Sequence, residues 1–236
     1  MPDAPRRFAL VPCAGVGTRA GQGGPKQYAR LADRSVVAHT LAALAECPAL
    51  HATLVVLAPE DTEFERHAPA HQGERAWVAR CGGATRAASV AAGLQALRER
   101  GAHDEDWVLV HDAARCLLRP AWVQRLVEAC ADDPVGGLLA LPLADTLKAA
   151  DAEGRVEATL PRDGKWLAQT PQMFRLGLLQ RALREAGPGV TDEASAIEAL
   201  DVTPRLKPRL VPGELENLKV TWPGDFALAA RLLETR

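Results

Sequence analysis

The stretch Phe8-Ala9-Leu10-Val11-Pro12-Cys13-Ala14-Gly15-Val16-Gly17-Thr18-Arg19-Ala20-Gly21-Gln22-Gly23-Gly24-Pro25-Lys26 decides the fold. A short apolar run, read as a buried strand, opens directly into a loop with five glycines in the ten positions Gly15 to Gly24. Without a Cβ, glycine lets backbone N–H groups converge on an anion, and Arg19 and Lys26 add two positive charges. The predicted guest is a triphosphate, at a strand's C-terminal end, where α/β sheets bind ligands. Two familiar phosphate loops fail. A Walker loop needs Gly-Lys-Ser/Thr, whereas Pro25 precedes Lys26 and Gln27 follows it. Gly15 to Ala20 fits GxGxxA, but Gly21, Gly23, Gly24 and Pro25 block the helix a dinucleotide fold would start there. The second strand begins only near Thr53, so the acidic residue that should close that strand is also out of place, and a dehydrogenase fails the same test.

Working outward, apolar runs alternate with helical periodicity. Strands are predicted at Phe8–Val11, Thr53–Leu57, Ala76–Arg80, Trp107–Val110 and Gly137–Leu141. Helices are predicted at Val36–Ala45, Arg86–Arg98 and Ala121–Ala131, with a short one at Thr62–Glu65 on capping-box spacing. Continuous apolar strands imply coverage on both faces, and β–α alternation implies a mostly parallel sheet. The expectation is a three-layer α/β/α, Rossmann-like domain. After Pro142 the pattern turns polar, with Asp151–Gly154 as a turn between Thr146–Ala149 and Val156–Leu160. This reads as a projecting hairpin arm over about 143–165, either solvated or laid against a second subunit. Helical patterns resume at Leu176–Ala186, at Asp192–Leu200 behind Thr191, and at Asp225–Leu233. No repeat or low-complexity linker interrupts the chain, so one domain is expected over 1–236.

Composition narrows the function. The 236 residues carry 28 Lys+Arg against 30 Asp+Glu, a net charge of -2, which argues against a nucleic-acid partner. Hydrophobic residues at 47% and charged residues at 25% are those of a globular protein with a real core. No apolar run approaches the roughly 18 residues of a membrane span, and the run after Arg7 is too short for a secretory signal. No membrane association and a cytoplasmic location are expected. The five cysteines, Cys13, Cys47, Cys81, Cys116 and Cys130, form no CxxC pair, which argues for reduced thiols rather than zinc or disulfides. Only five lysines stand against 23 arginines, so each lysine is informative.

His111-Asp112-Ala113-Ala114-Arg115 follows the Trp107–Val110 strand, so Asp112 is expected in the same crevice as the glycine loop. Three readings stay open for it: a ribose acceptor, a water-mediated Mg²⁺ ligand, or a helix cap. Arg115 is a candidate contact for a second anion, and His111 reads as structural. Cys81 to Ser89 puts a tight Gly82-Gly83 turn between strand and helix. Thr191 to Ser195 reads as a helix cap, and Asn217 to Thr221 as a strand carrying Lys219.

Pro25-Lys26-Gln27-Tyr28, Gly82-Gly83-x-x-Arg86-x-x-Ser89, His111 to Arg115, Gln169-Thr170-Pro171-Gln172, Thr191 to Ser195 and Asn217-x-Lys219-Val220-Thr221 occur in one order. Together they resemble the 2-C-methyl-D-erythritol 4-phosphate cytidylyltransferases of the non-mevalonate isoprenoid pathway, from about Phe8 to Leu233. The resemblance implies a nucleotidyltransferase fold and transfer of CMP from CTP to methylerythritol phosphate, with release of pyrophosphate. It implies that Arg19 and Lys26 stabilise charge on the triphosphate. Backbone at Cys13, Ala14 and Gly83, with Ser89, would read cytosine; Pro12, Gly15, Gly17, Asp112 and Ala113 would surround the nucleotide. Arg162 and Lys219 would position the acceptor phosphate, helped by Arg115, Thr146, Thr170 and Thr191. It also implies Mg²⁺ or another divalent cation held mainly by the CTP phosphates, with Asp112 a possible contact. A homodimer is implied in which the arm brings Thr146 and Arg162, along with Thr191, to the neighbour's site. Because the chain stops at Arg236, the fused cyclodiphosphate synthase domain of bifunctional relatives is expected to be absent.

Four positions depart from the family pattern. Ala84 replaces a frequent acidic residue, Cys116 a proline, Pro161 an aspartate and Cys13 an alanine. Cys13, Cys81 and Cys116 border motifs, so thiol modification is expected to inhibit. The nearest rival is a ribitol 5-phosphate cytidylyltransferase, which would differ only in the acceptor pocket. A sugar-1-phosphate nucleotidyltransferase would not be expected to carry the arm. A nonenzymatic nucleotide-binding regulator would be expected to lack one of Arg19, Lys26, Asp112 or Lys219.

Overall fold

The computed structural model describes residues 4–15, 24–187, 189–200, 202 and 206–235. Gly17 and Arg19 of the glycine loop lie outside the described residues. The chain runs through β1 (Arg7–Pro12), β2 (Arg30–Leu31), β3 (Arg34–Ser35), α1 (Val36–Ala45), β4 (Ala52–Val56), α2 (Phe64–His67) and β5 (Ala76–Ala79). It continues through α3 (Arg86–Glu99), β6 (Trp107–Val110), α4 (Pro120–Cys130), β7 (Gly136–Pro142), β8 (Leu147–Ala150) and β9 (Val156–Leu160). β10 (Trp166–Arg175), α5 (Leu176–Glu185), α6 (Glu193–Glu198), β11 (Arg209–Pro212) and α7 (Pro223–Glu234) complete it.

Seven strands form one sheet in the order β11-β7-β10-β6-β1-β4-β5. All run parallel except β10, which pairs antiparallel with both β6 and β7. The strands' two-residue period divides the core cleanly. Ala9, Val11, Val55, Trp107 and Leu109 face a layer with Val37 and Leu41 of α1 and Val123 and Leu126 of α4. Phe8, Leu10, Leu54, Val108 and Val110 face the other layer, with Val90 and Leu94 of α3 and Leu179 of α5. Each such leucine, fully buried, stabilises the fold by roughly 1.5–3 kcal/mol. Ser35 and Thr85 start α1 and α3 by accepting from Ala38 N at 3.3 Å and Ala88 N at 3.1 Å.

Successive strands step from β1 to β4 to β5 on one side, then return to β6 on the other. The crevice at such a reversal lies at the C-terminal ends of β1 and β6, where Pro12–Gly15 and His111–Arg115 emerge. A third apolar cluster, with Leu31, Cys116, Leu117, Val220 and Ala229, packs α7 against the loop that follows β6.

The structure corrects several expectations. The strand β10, which carries Gln169-Thr170-Pro171-Gln172, and the short β11 were not expected. Both lack a clean apolar signal, and Pro171 cannot donate to a ladder; the pairing of β10 with β7 shifts register between Ala168 and Gln172. Lys219 lies in extended coil, not on a strand. The start of α2 is capped by Asp61, whose Oδ1 accepts from Glu63 N and Phe64 N at 3.1 Å, rather than by Thr62. The cap of α6 is Asp192, not Thr191: its Oδ1 accepts from Ser195 N at 2.9 Å. The arm is as expected: β8 and β9 pair antiparallel in a separate two-stranded sheet, and Gly154 takes the left-handed φ of 78° its turn requires. Among the described residues no helix is long and apolar enough to cross a membrane.

Candidate active site

Three loops are drawn together at the crevice by backbone contacts. Cys13 N donates to Val56 O at 2.8 Å, His111 N to Leu10 O at 2.9 Å and Gly82 N to Leu57 O at 2.7 Å. A Cβ on Gly82 would stand 2.3 Å from Ala14 Cβ, so only glycine lets the turn after β5 press against the turn after β1. Gly83 N donates to Ser89 Oγ at 3.1 Å, and the Ser89 hydroxyl donates to Thr85 O at 3.0 Å. The buried Ser89 therefore shapes the turn, while Gly83 and Ala84 are exposed on it.

Lys26 opens a single 3₁₀ turn, Lys26–Tyr28, anchored on both following residues. Gln27 Nε2 donates to Cys13 O at 3.2 Å, and the Tyr28 hydroxyl to Asp61 Oδ2 at 2.6 Å. The Tyr28 ring also stacks on His67, with centroids 4.7 Å apart.

The loop after β6 is locked from below. Asp112 N donates to Thr170 Oγ1 at 3.1 Å, and Thr170 Oγ1 lies 3.0 Å from His111 Nδ1. His111 Nε2 lies 3.2 Å from Arg115 O; since a carbonyl only accepts, Nε2 carries the proton and Nδ1 accepts from Thr170. Burial lowers the His111 pKa to about 4, so the ring is neutral at pH 7. Ala113 O accepts from Thr40 at 2.8 Å. Arg115 donates to Asn217 O at 2.5 Å and Ala168 O at 3.3 Å, tying the segment before Lys219 to β10. Val220 N donates to Ala114 O at 2.9 Å from the other side of Lys219.

Charge converges above this platform. Asp112 Oδ2 lies 2.8 Å from Lys219 Nζ, and Asp112 Oδ1 accepts from Arg86 Nε at 2.8 Å. Arg86 in turn donates to both oxygens of buried Glu193, at 2.6 and 3.0 Å. Burial alone would raise the Asp112 carboxyl, but Arg86 and Lys219 outweigh it and hold it well below the usual carboxylate range. Glu193 is pushed up by burial, since it shares a single arginine and faces the charge of Asp112. The helix α4 is capped at Arg119, so Asp112 caps no helix, and that reading of it falls.

Of the expected residues, Pro12, Cys13, Ala14, Gly15, Gly83, Ser89, Asp112, Ala113, Arg115, Thr170 and Lys219 come together in this region. Thr191 is exposed at the turn before α6, with its N–H on Ser195 Oγ at 3.1 Å. Thr146 and Arg162 are exposed on the arm, where Arg162 donates to Ala144 O within the hairpin's base. Reading the sequence missed the roles of Arg86 and Glu193, although both sit inside quoted motifs. A charged residue in the first turn of each of two helices was the available signal, and nothing local pairs positions so far apart. Of the three motif-flanking thiols, Cys13 and Cys116 are buried and only Cys81 is exposed.

The chain is similar to known proteins over nearly its whole length. Residues 8–235 match the family model described as 2-C-methyl-D-erythritol 4-phosphate cytidylyltransferase. The enzyme of that name from Dechloromonas aromatica is 55% identical over 232 residues, covering 98% of this chain and 99% of its own. The bifunctional enzyme IspD/IspF of Albidiferax ferrireducens is 58% identical over 232 residues, which are 98% of this chain. They are 54% of that enzyme, so the chain spans about half the length of this relative. A crystal structure of 4-diphosphocytidyl-2C-methyl-D-erythritol synthase aligns with a TM-score of 0.84 at 41% identity, covering 98% of this chain and 99% of the other. The cytidylyltransferase structure from Thermus thermophilus aligns at 0.77 and 33%, covering 97% and 99%. With its nucleotidyltransferase-type α/β fold and all six motifs inside the matched span, the chain belongs to the 2-C-methyl-D-erythritol 4-phosphate cytidylyltransferase family of enzymes.

Proposed function

We propose that this chain transfers CMP from CTP to 2-C-methyl-D-erythritol 4-phosphate in the cytoplasm, as one nucleotidyltransferase domain over 1–236. An oxygen of the acceptor phosphate attacks the α-phosphorus of CTP and forms the new P–O bond. The bond from the α-phosphorus to the bridging oxygen breaks, and pyrophosphate leaves with the electron pair. The nucleophile is already anionic near neutral pH, so no side chain has to remove a proton. The barrier is repulsion between polyanions and charge growing on the leaving group, which preorganised cations relieve. Lys26, with Arg19, serves the triphosphate; Lys219, with Arg162, serves the acceptor phosphate. The observation that carries this reading is Lys219 held 2.8 Å from Asp112, which stands in the loop that leaves β6 at the crevice.

The donor set fits a divalent cation carried by the triphosphate rather than caged by protein. Among the described residues no three His, Cys, Asp or Glu side chains gather for one, and both Asp112 oxygens already face cations. When bound, Mg²⁺ neutralises phosphate charge; Asp112 is then left for the ribose. The arm is the proposed homodimer contact. Its Val156 and Leu160 are exposed apolar side chains, and its Thr146 and Arg162 would complete the neighbour's acceptor pocket.

Pyrophosphate release from CTP and Mg²⁺ tests this reading, with methylerythritol phosphate, with ribitol 5-phosphate and with no acceptor. Release with methylerythritol phosphate alone is expected. Release with ribitol 5-phosphate instead would overturn the acceptor assignment.

A further inference from the structure

We infer that Arg86 is a positioning residue for the transfer: it keeps Asp112 charged and in place when Lys219 leaves it for a substrate phosphate. Four side chains form an alternating line, Glu193, Arg86, Asp112 and Lys219, with contacts of 2.6, 2.8 and 2.8 Å. Glu193 and Asp112 are buried, whereas the Lys219 side chain is 41% exposed. Only the lysine end of the line is open to a ligand. A phosphate that takes Lys219 breaks its contact with Asp112. A buried carboxylate stripped of its partners is costly, so Lys219 can be released only if a second cation stays behind. Arg86 is that cation. It occupies the first position of α3 and is fixed from behind by both oxygens of Glu193, at the first position of α6. One guanidinium thus joins the turn after β5, the loop after β6 and the helix behind Thr191. Arg86 touches no reacting atom; it acts through Asp112 and Lys219.

Without Arg86, Lys219 becomes the main counterion of Asp112 and is withheld from the acceptor. The signature is therefore a rise in acceptor KM, not merely less active enzyme. Losing a hydrogen bond between charged groups corresponds to about tenfold to a hundredfold. Arg86→Met is expected to raise the acceptor KM at least tenfold by that measure. Arg86→Lys, which can reach Asp112 but cannot also fork onto Glu193, should recover part of it. The double variant Arg86→Met/Glu193→Gln removes the stranded buried charge. It is expected to regain the wild-type Tm while its acceptor KM stays high. A purely structural tie between α3 and α6 would instead lower kcat with the folded fraction and leave KM unchanged. The inference is overturned by that result, or by a double variant that regains both Tm and KM. If Arg86→Met does not fold, the Lys and double variants carry the test.

The inference rests on the cytidylyl-transfer reading, so wild type is assayed first. If it releases pyrophosphate only with ribitol 5-phosphate, that reading falls and the variants are compared with that acceptor. If it is silent with both, the variants are compared by their affinity for methylerythritol phosphate in the presence of CTP. There an unchanged Kd in Arg86→Met overturns the role of Arg86, and one raised at least tenfold supports it.

Discussion

In the crevice, charged side chains find partners from distant parts of the chain: Arg86 meets Asp112 at 2.8 Å and Glu193 at 2.6 Å. In the arm, Arg162 reaches among the described residues only the Ala144 carbonyl of its own hairpin, and Val156 is 64% exposed. One region is satisfied by its own chain; the other carries cationic and apolar groups that its own chain leaves uncovered. That exposed surface, both cationic and apolar on a two-stranded sheet, is what supports the proposed homodimer contact. The contrast separates charges that one chain pairs within itself from those that the proposed dimer would have to engage.

The largest effect is expected in the crevice. Lys26→Ala should lower turnover at least a hundredfold, the equivalent of losing about 3–4 kcal/mol of preorganised charge. Its Tm should stay close to wild type, because the turn is anchored by Gln27 and Tyr28. A near-wild-type rate would remove Lys26 from the mechanism.

Subunit mixing sharpens the comparison next. Arg162→Ala alone should lower activity with the acceptor. Remixing Lys26→Ala chains with Arg162→Ala chains should restore about a quarter of wild-type activity, since half the dimers then hold one intact site. No recovery, with subunit exchange verified by mass, would place the arm's function in its own chain.

A smaller effect concerns the platform beneath Asp112. His111 is neutral in the fold with its pKa lowered to about 4, against an ordinary 6.5. The unfolded chain binds that proton first, so stability is whole above pH 6.5 and is lost as the pH falls toward 4. The loss amounts to as much as about 3 kcal/mol. Glu193, pushed up by burial, works in the opposite sense above the ordinary carboxylate value. The His111 part is isolated by comparing denaturant midpoints at pH 7 and 4.5 with those of His111→Gln, whose profile should be flatter. Equal slopes would refute it.

The smallest concerns the thiols. An alkylating reagent on the native protein should label Cys81 and spare Cys13 and Cys116, which are buried. Labelling Cys81, beside the Gly82-Gly83 turn, should weaken CTP binding several-fold. Peptide mapping that finds Cys13 modified first would contradict its burial.

Much of the body was legible from local pattern. Val36–Ala45 and Trp107–Val110 were bounded correctly because apolar spacing and caps act within a few residues. The strand β10 was not, because it mixes Gln169, Thr170 and Pro171 with apolar positions and gains its place from two neighbours rather than its own period. Lys219 was expected on a strand because Val220 and Thr221 favour one; instead Val220 bonds to Ala114 and packs under α7. In the site, the glycine loop, Asp112 and Lys219 could be named from residue type and position. The partnership of Arg86 with Glu193, 107 positions apart, could not.

The sequence by itself determined the alternation of strands and helices, the three-layer class, the turn glycines and the inventory of charges, because each depends on short-range periodicity or steric permission. Only the tertiary structure decided which charges meet, that β10 runs against its neighbours, and that Asp112 stands between two cations rather than capping a helix. The reason is physical. Burial and pairing are properties of the assembled interior, where a carboxylate is tolerated only if distant cations arrive with it.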